Sequence, residues 1–239
     1  MPARIFLATP ILVLASALAA LAQSFHFVPK DAVDPVRILA EPPVASSEEA
    51  NAELEWMLMI QQCRTNCQTQ RCNAEVNLTM AAYQSVIGPW LTAENLPLLQ
   101  QFFNDVEEDS MFFSNAAKKH FARKRPYEVD SRIQPCVTRE ATSSYPSGHA
   151  TRGLLFATIL AELAPDCRAS LLLRGQEIGW DRVVAGVHFP SDISAGRTLA
   201  RALTQALLSN PQFQAELARV KVQFEEVRQR LTAKSQRAA

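Results

Sequence analysis

The stretch Ser143-Ser144-Tyr145-Pro146-Ser147-Gly148-His149 leads straight into an apolar segment, Ala150 to Leu163. Pro146 fixes its own φ at about −65° and suits the first turn of a helix. Ser147 is small and Gly148 has no Cβ, so backbone N–H groups here can approach a ligand closely. The apolar run reads as a buried helix, which puts the Pro146–His149 tetrapeptide where that helix begins. Free N–H groups and the positive end of the helix dipole favour an anion at such a point. His149 sets a titratable group beside it. An ordinary helix start has the same look, so the flanking sequence must decide what the tetrapeptide does.

Outward from that helix, composition points the same way. The 239 residues hold only seven Gly and three Tyr, against much Ala, Leu, Gln and Glu, which favours helix over sheet. Ser46 with Glu49 reads as a capping box opening a helix to Gln61. A helical run spans Ala74 to Ile87, stopped by Gly88-Pro89. Thr92 caps a further helix across Leu96 to Val106, and another carries Met111, Phe112, Ala116 and Ala117. Residues 123–145 lack periodicity and read as a loop. Helices follow at about 147–163, 167–185 and 191–208. Asn210-Pro211 opens a last one, whose Phe213, Leu217, Val220, Phe224, Val227 and Leu231 form an apolar seam. The seam is expected to pack on the body and leaves a homo-oligomer open as the lesser alternative. No repeat, Gly/Ser linker or strand pair interrupts the pattern. The expected fold is all-α, a single-domain helical bundle over residues 46–239.

Before it come an extended, Pro-rich N-terminal arm at 23–45 and a prefix at 1–22 with the pattern of a secretory signal. The prefix has Arg4, then apolar residues from Ile5 to Leu21, then Ala20-Leu21-Ala22 as a cleavage site. The expected location is periplasmic or secreted. No later stretch reads as a membrane span, so no stable membrane insertion is expected once the signal is removed. Lys+Arg and Asp+Glu balance at 24 each, which gives no reason to expect a nucleic-acid partner. An exported chain favours disulfides, so Cys63, Cys67, Cys72, Cys136 and Cys167 are expected to form two bridges and leave one thiol, with the pairing open.

Two flanks give the central stretch its meaning. Upstream lies Lys118-Lys119-His120-Phe121-Ala122-Arg123-Lys124-Arg125-Pro126, which alone reads as a solvated basic face. Downstream lies Asp181-Arg182-Val183-Val184-Ala185-Gly186-Val187-His188-Phe189-Pro190-Ser191-Asp192. Here Asp192 is near enough in sequence to orient His188 through its second ring nitrogen. Lys118, Arg125 and Arg182 call for a dianion, since guanidinium forks match phosphate oxygens in pairs and a lysine adds a point charge. Phosphoryl transfer needs charge neutralisation, positioning, a nucleophile and an acid.

In combination, Lys118-x6-Arg125-Pro126, Pro146-Ser147-Gly148-His149 and Arg182-x5-His188-x3-Asp192 resemble the three-part signature of the phosphatidic acid phosphatase type 2/haloperoxidase superfamily. Within it the chain looks most like the bacterial class A non-specific acid phosphatases. The resemblance covers residues 118–192. It implies that His188 is the nucleophile, passing through a phosphohistidine, that Asp192 orients it, and that His149 protonates the leaving alcohol. Lys118, Arg125, Arg182 and the N–H groups of Ser147 and Gly148 would hold the phosphoryl oxygens. It implies no cofactor and no metal, a small-molecule phosphomonoester as substrate, and an acidic to neutral working range. In one departure, Asp181 stands where the family commonly has Ser. Its carboxylate would either pair with Arg182 and weaken phosphate binding, or hold that side chain in place. The alternatives are a vanadium-dependent haloperoxidase or a lipid phosphate phosphatase on the same pocket, a metal-dependent phosphoesterase using His149, His188, Asp181 and Asp192, and a phosphate-binding protein without turnover.

Overall fold

Ten α-helices follow one another in the computed structural model, which describes residues 25–238. They are α1 (Pro35–Ile38), α2 (Glu48–Cys63), α3 (Asn66–Ala74), α4 (Gln84–Ile87), α5 (Pro97–Phe121), α6 (Pro126–Val129), α7 (Gly148–Leu163), α8 (Arg168–Val184), α9 (Pro190–Ser209) and α10 (Pro211–Ala238). Short 3₁₀ turns precede α4 and α8, and no strand occurs among the described residues. The fold is all-α, as expected. The segment read as a signal, residues 1–22, lies outside the described residues. Among those described, no helix is long and apolar enough to cross a membrane.

α7 is the hub. It is apolar all round, and His149, Ala150, Leu155, Phe156, Leu160 and Leu163 are among its buried residues. It packs most extensively on α8 and next on α9. Glycines allow both approaches. A Cβ on Gly175 of α8 would stand 2.6 Å from the carbonyl oxygen of Gly153, and one on Gly196 of α9 would stand 2.5 Å from that of Ser147. The second contact fixes the start of α7 against α9. The seam of α10 does pack on the body: Phe213, Leu217, Val220, Phe224 and Val227 are buried in the main core. Each such side chain contributes about 2 kcal/mol of burial free energy.

Several boundaries differ from the sequence reading. The cap of α2 is Ser47, whose Oγ accepts from Ala50 N at 3.2 Å; Ser46 sits one residue earlier at φ 65°. Thr92 caps only a turn, through Asn95 N. The two helices expected between Leu96 and Ala117 are one, with Pro97 at its first position and no later Gly or Pro to stop it. The run from Ala74 to Ile87 is not one helix. α3 ends at Ala74, and the chain turns through residues 75–79 before the 3₁₀ turn and α4. The loop at 123–145 contains α6. Pro146 lies outside α7, in a cis peptide bond with Tyr145, and Ser147 is the helix cap.

The N-terminal arm is docked, not free. The buried carboxylate of Asp109 on α5 accepts from His26 N, Phe27 N and Val28 N at 2.9, 2.7 and 2.9 Å. Phe27 stacks edge-on with Phe102 and with Phe213, and its carbonyl accepts from Asn210. All five cysteines are free thiols, where two bridges were expected. Cys63 and Cys67 are exposed on different helices. Cys72 is buried, its Sγ–H donating to the Asp181 carbonyl at 3.2 Å. Burial, followed by the nearby Asp181 carboxylate, pushes its thiol up to about 12.

Candidate active site

The site is built where α8 ends and α9 begins. Val187 N donates to Arg182 O at 3.1 Å and Gly186 N to Val183 O at 2.9 Å, the paired bonds of a Schellman turn. The turn needs a left-handed residue, which Gly186 supplies at φ 81°. This reversal brings His188 back into the buried pocket that holds Arg182. Pro190 then starts α9, and Asp192 at its third position caps it by accepting from Phe189 N at 2.9 Å.

Arg125, Arg182 and His188 are each 1% exposed, and Asp192 is fully buried. Arg125 Nη1 lies 3.0 Å from His188 Nε2, and His188 Nδ1 lies 3.1 Å from Asp192 Oδ2. A guanidinium can only donate, so Nε2 is the acceptor and the ring proton sits on Nδ1, donated to Asp192. Burial, with Arg125 and Lys118 close by, holds the His188 pKa well below its usual value. His188 is therefore neutral, with its lone pair on Nε2, where Arg125 donates to it.

Two further donors fix Asp192. Ser144 Oγ donates to Oδ2 at 2.5 Å, and Arg123 Nη1 to Oδ1 at 2.6 Å. Arg123 in turn pairs with Glu53 at 2.7 Å and lies over the Phe189 ring at 3.9 Å.

The basic run closes the opposite wall. α5 is capped after Phe121 by Ala122 in a left-handed conformation, which turns the chain so that Lys118 and Arg125 approach one pocket. Lys118 Nζ donates to the carbonyls of Ser143 and Ser144. Burial and Arg125 push its pKa down to about 7. Arg125 also donates to Thr142 O, Thr142 Oγ1 and Val187 O.

At the start of α7 the structure changes one assignment. The N–H of Ser147 is spent on the Asp192 carbonyl at 3.0 Å, and its Oγ caps the helix through Ala150 N. Ser147 thus ties the turn together and has no N–H left for an anion. Gly148 and His149 occupy the first two helical positions, whose N–H groups have no intrahelical acceptor. A Cβ on Gly148 would meet nothing within 4 Å, so the backbone there faces open space. His149 Nε2 lies 3.1 and 3.2 Å from the carbonyls of Glu75 and Val76. Carbonyls only accept, so Nε2 carries the proton and Nδ1 remains for a ligand. Those carbonyls are available because α3 has just ended. Burial, then Arg182 and Arg152, push the His149 pKa down to about 3.

Arg182 Nε and Nη1 are buried with no hydrogen-bond partner. Its Nη2 donates to Glu140 Oε1 at 2.7 Å, and Glu140 Oε2 accepts from Arg125 Nη2 at 2.6 Å. A cavity of about 160 Å³ opens here, lined by Ser110, Ser114, Asn115 and Lys118 of α5, by Glu140 and Thr142, and by Gly148, His149 and Arg152 of α7. Asp181 points elsewhere. Arg71 Nε and Nη2 donate to its carboxylate at 2.7 and 2.6 Å, and Arg174 lies 3.7 Å away. It takes nothing from Arg182. Among the described residues, no three or more His, Cys, Asp or Glu side chains are grouped to hold a metal ion.

The sequence profile of the PAP2 superfamily matches residues 110–215. An acid phosphatase of Zymomonas mobilis is 30% identical over 204 residues, which cover 82% of this chain and 77% of that one. The chain belongs to the PAP2 superfamily. A non-specific acid phosphatase of Providencia stuartii is 32% identical over 149 residues, covering 60% of each chain. One of Salmonella typhimurium is 31% identical over 144 residues, covering 58% of each. The match thus spans about three fifths of the length of two of these relatives. In fold, the chain is similar to a bacterial vanadium-dependent iodoperoxidase, with a TM-score of 0.55 at 15% identity over 72% of this chain and 52% of that one.

This PAP2 site contains residues that sequence reasoning missed. Arg123 looked like one more residue of a solvated basic face, Ser144 like part of a loop, and Glu140 gave no signal. Each acts through a partner 15 to 69 positions away. Only Arg123 carried a usable hint, its place two residues before the signature arginine.

Proposed function

We propose that this protein is an exported acid phosphatase that hydrolyses phosphomonoesters, carrying the phosphoryl group transiently on His188. The observation that carries the reading is the pair of unpartnered, buried donors on Arg182, which Glu140 links to Arg125, the donor to His188 Nε2. Buried cationic donors without partners are costly unless an anion completes them. The names of the relatives, acid phosphatases, support a phosphate ester as that anion.

In this reading Nε2 attacks phosphorus as the ester P–O bond breaks, and the leaving oxygen takes a proton from His149. Water then attacks the phosphohistidine, giving its proton to His149. The N–P bond breaks and its electron pair returns to Nε2. Lys118, Arg125, Arg182 and the N–H groups of Gly148 and His149 supply the charge and hydrogen bonds that the transferring group needs. Asp192 keeps the proton of His188 on Nδ1 throughout. Since His149 is neutral in the free site, its proton arrives with the substrate: a bound ester monoanion can pass its proton to the ring. The prefix at 1–22 supports export, to the periplasm or beyond. The test is phosphate release from a panel of monoesters, diesters and lipid phosphates, with and without chelator. Turnover of soluble monoesters in chelator is expected. Activity confined to diesters or lipid phosphates, or dependent on added metal, would count against it.

A further inference from the structure

Resting on the phosphatase reading, we infer that Glu140 occupies the phosphate site of the free protein as a built-in competing anion that the substrate must displace. Its two carboxylate oxygens each take one of the two arginines assigned to the phosphoryl group, Arg125 Nη2 at 2.6 Å and Arg182 Nη2 at 2.7 Å. Both two-pronged faces of Arg182, Nε with Nη2 and Nη1 with Nη2, include the nitrogen that Glu140 holds. The remaining two donors, Nε and Nη1, are the ones left without partners. A phosphate dianion drawn to them meets a carboxylate at hydrogen-bonding distance from the same guanidinium, and like charges so placed repel strongly.

The geometry separates the part that is fixed from the part that moves. The Glu140 backbone is clamped by Tyr127, whose hydroxyl donates to Glu140 O at 2.8 Å and accepts from Glu140 N at 3.1 Å. The side chain lies at the open cavity and is 31% exposed, while the two arginines it bridges are buried. Rotation of the carboxylate toward the cavity mouth vacates both arginines without opening the loop. Burial pushes the Glu140 carboxyl up, but the surrounding positive groups, Arg125 first, outweigh it and hold it well below the usual carboxylate range. The competitor is thus charged whenever substrate arrives.

Calorimetric titration of inorganic phosphate into wild type, Glu140→Gln, Glu140→Ala and Arg182→Ala tests this, with circular dichroism checking each fold. Both Glu140 variants are expected to bind phosphate on the order of tenfold more tightly than wild type. Unchanged or weaker binding in either folded Glu140 variant overturns the inference and makes the residue a positioner of the arginines. The phosphatase reading fails separately, if wild type binds no phosphate or binds it equally well after Arg182→Ala.

Discussion

Arg125 Nη1 lies 3.0 Å from His188 Nε2, so the lone pair assigned to attack is held by a donor in the free protein. The same guanidinium also donates to Thr142, Val187 and Glu140. A lysine at 125 keeps the charge but cannot reproduce that set of planar donors. Arg125→Lys is therefore expected to lower kcat/KM by about 100-fold or more. Steady-state kinetics on an aryl phosphate checks this; a loss under threefold would remove Arg125 from the phosphoryl site.

The protonation of His149 makes a second prediction. A poor leaving group needs its proton, and a good one does not. His149→Ala should slow an alkyl phosphate by about 10²- to 10⁴-fold, and an activated aryl phosphate far less. Equal losses on both substrates would show that His149 serves binding and not proton transfer.

Anion binding should take up protons. Burial and Arg125 hold Lys118 at about 7, and burial with Arg182 and Arg152 holds His149 at about 3, both below their usual values. A bound dianion favours the charged form of each, so the occupied site holds more protons than the empty one. Affinity then rises as pH falls and weakens as pH climbs through about 7, where free Lys118 loses its proton. Sulfate, whose own charge is constant there, is the probe, titrated in buffers of different ionisation heat. Uptake of about one proton per sulfate above pH 7 is expected; proton release would contradict the assignment.

Asp181 should matter for stability and little for chemistry. It is buried, bonded to a half-exposed Arg71, and turned from the phosphate cations. Allowing for solvent screening at Arg71, losing the pair costs on the order of 2 kcal/mol. Asp181→Asn is expected to lower Tm by roughly 4–8 °C with kcat/KM within about threefold of wild type, as befits a positioning pair outside the site. An unchanged Tm with a tenfold loss of kcat/KM would mean that the carboxylate acts on Arg182 after all.

What could be read in the sequence was local. α7, α8 and α9 have short-range apolar patterns, α7 has a serine cap, and His188 and Asp192 are four positions apart at a helix start. Their pairing follows from spacing alone. The N–H of Ser147 is not legible as spent, because its acceptor, Asp192 O, is 45 positions away. The ambiguity at Asp181 was resolved by Arg71, which comes from a helix 110 positions earlier. The docked arm depends on Asp109, a buried acid inside a stretch of acids that reads as solvated surface. Sequence patterns locate residues on elements; partners brought together by tertiary packing decide which atoms remain available.

The central claim is that Nε2 of His188 attacks phosphorus. Phosphate release from an aryl phosphate, measured for wild type and His188→Ala in excess chelator, tests it most directly. The account predicts turnover by wild type and a loss of about 10⁴-fold or more in the folded variant. Activity of His188→Ala within tenfold of wild type would contradict it.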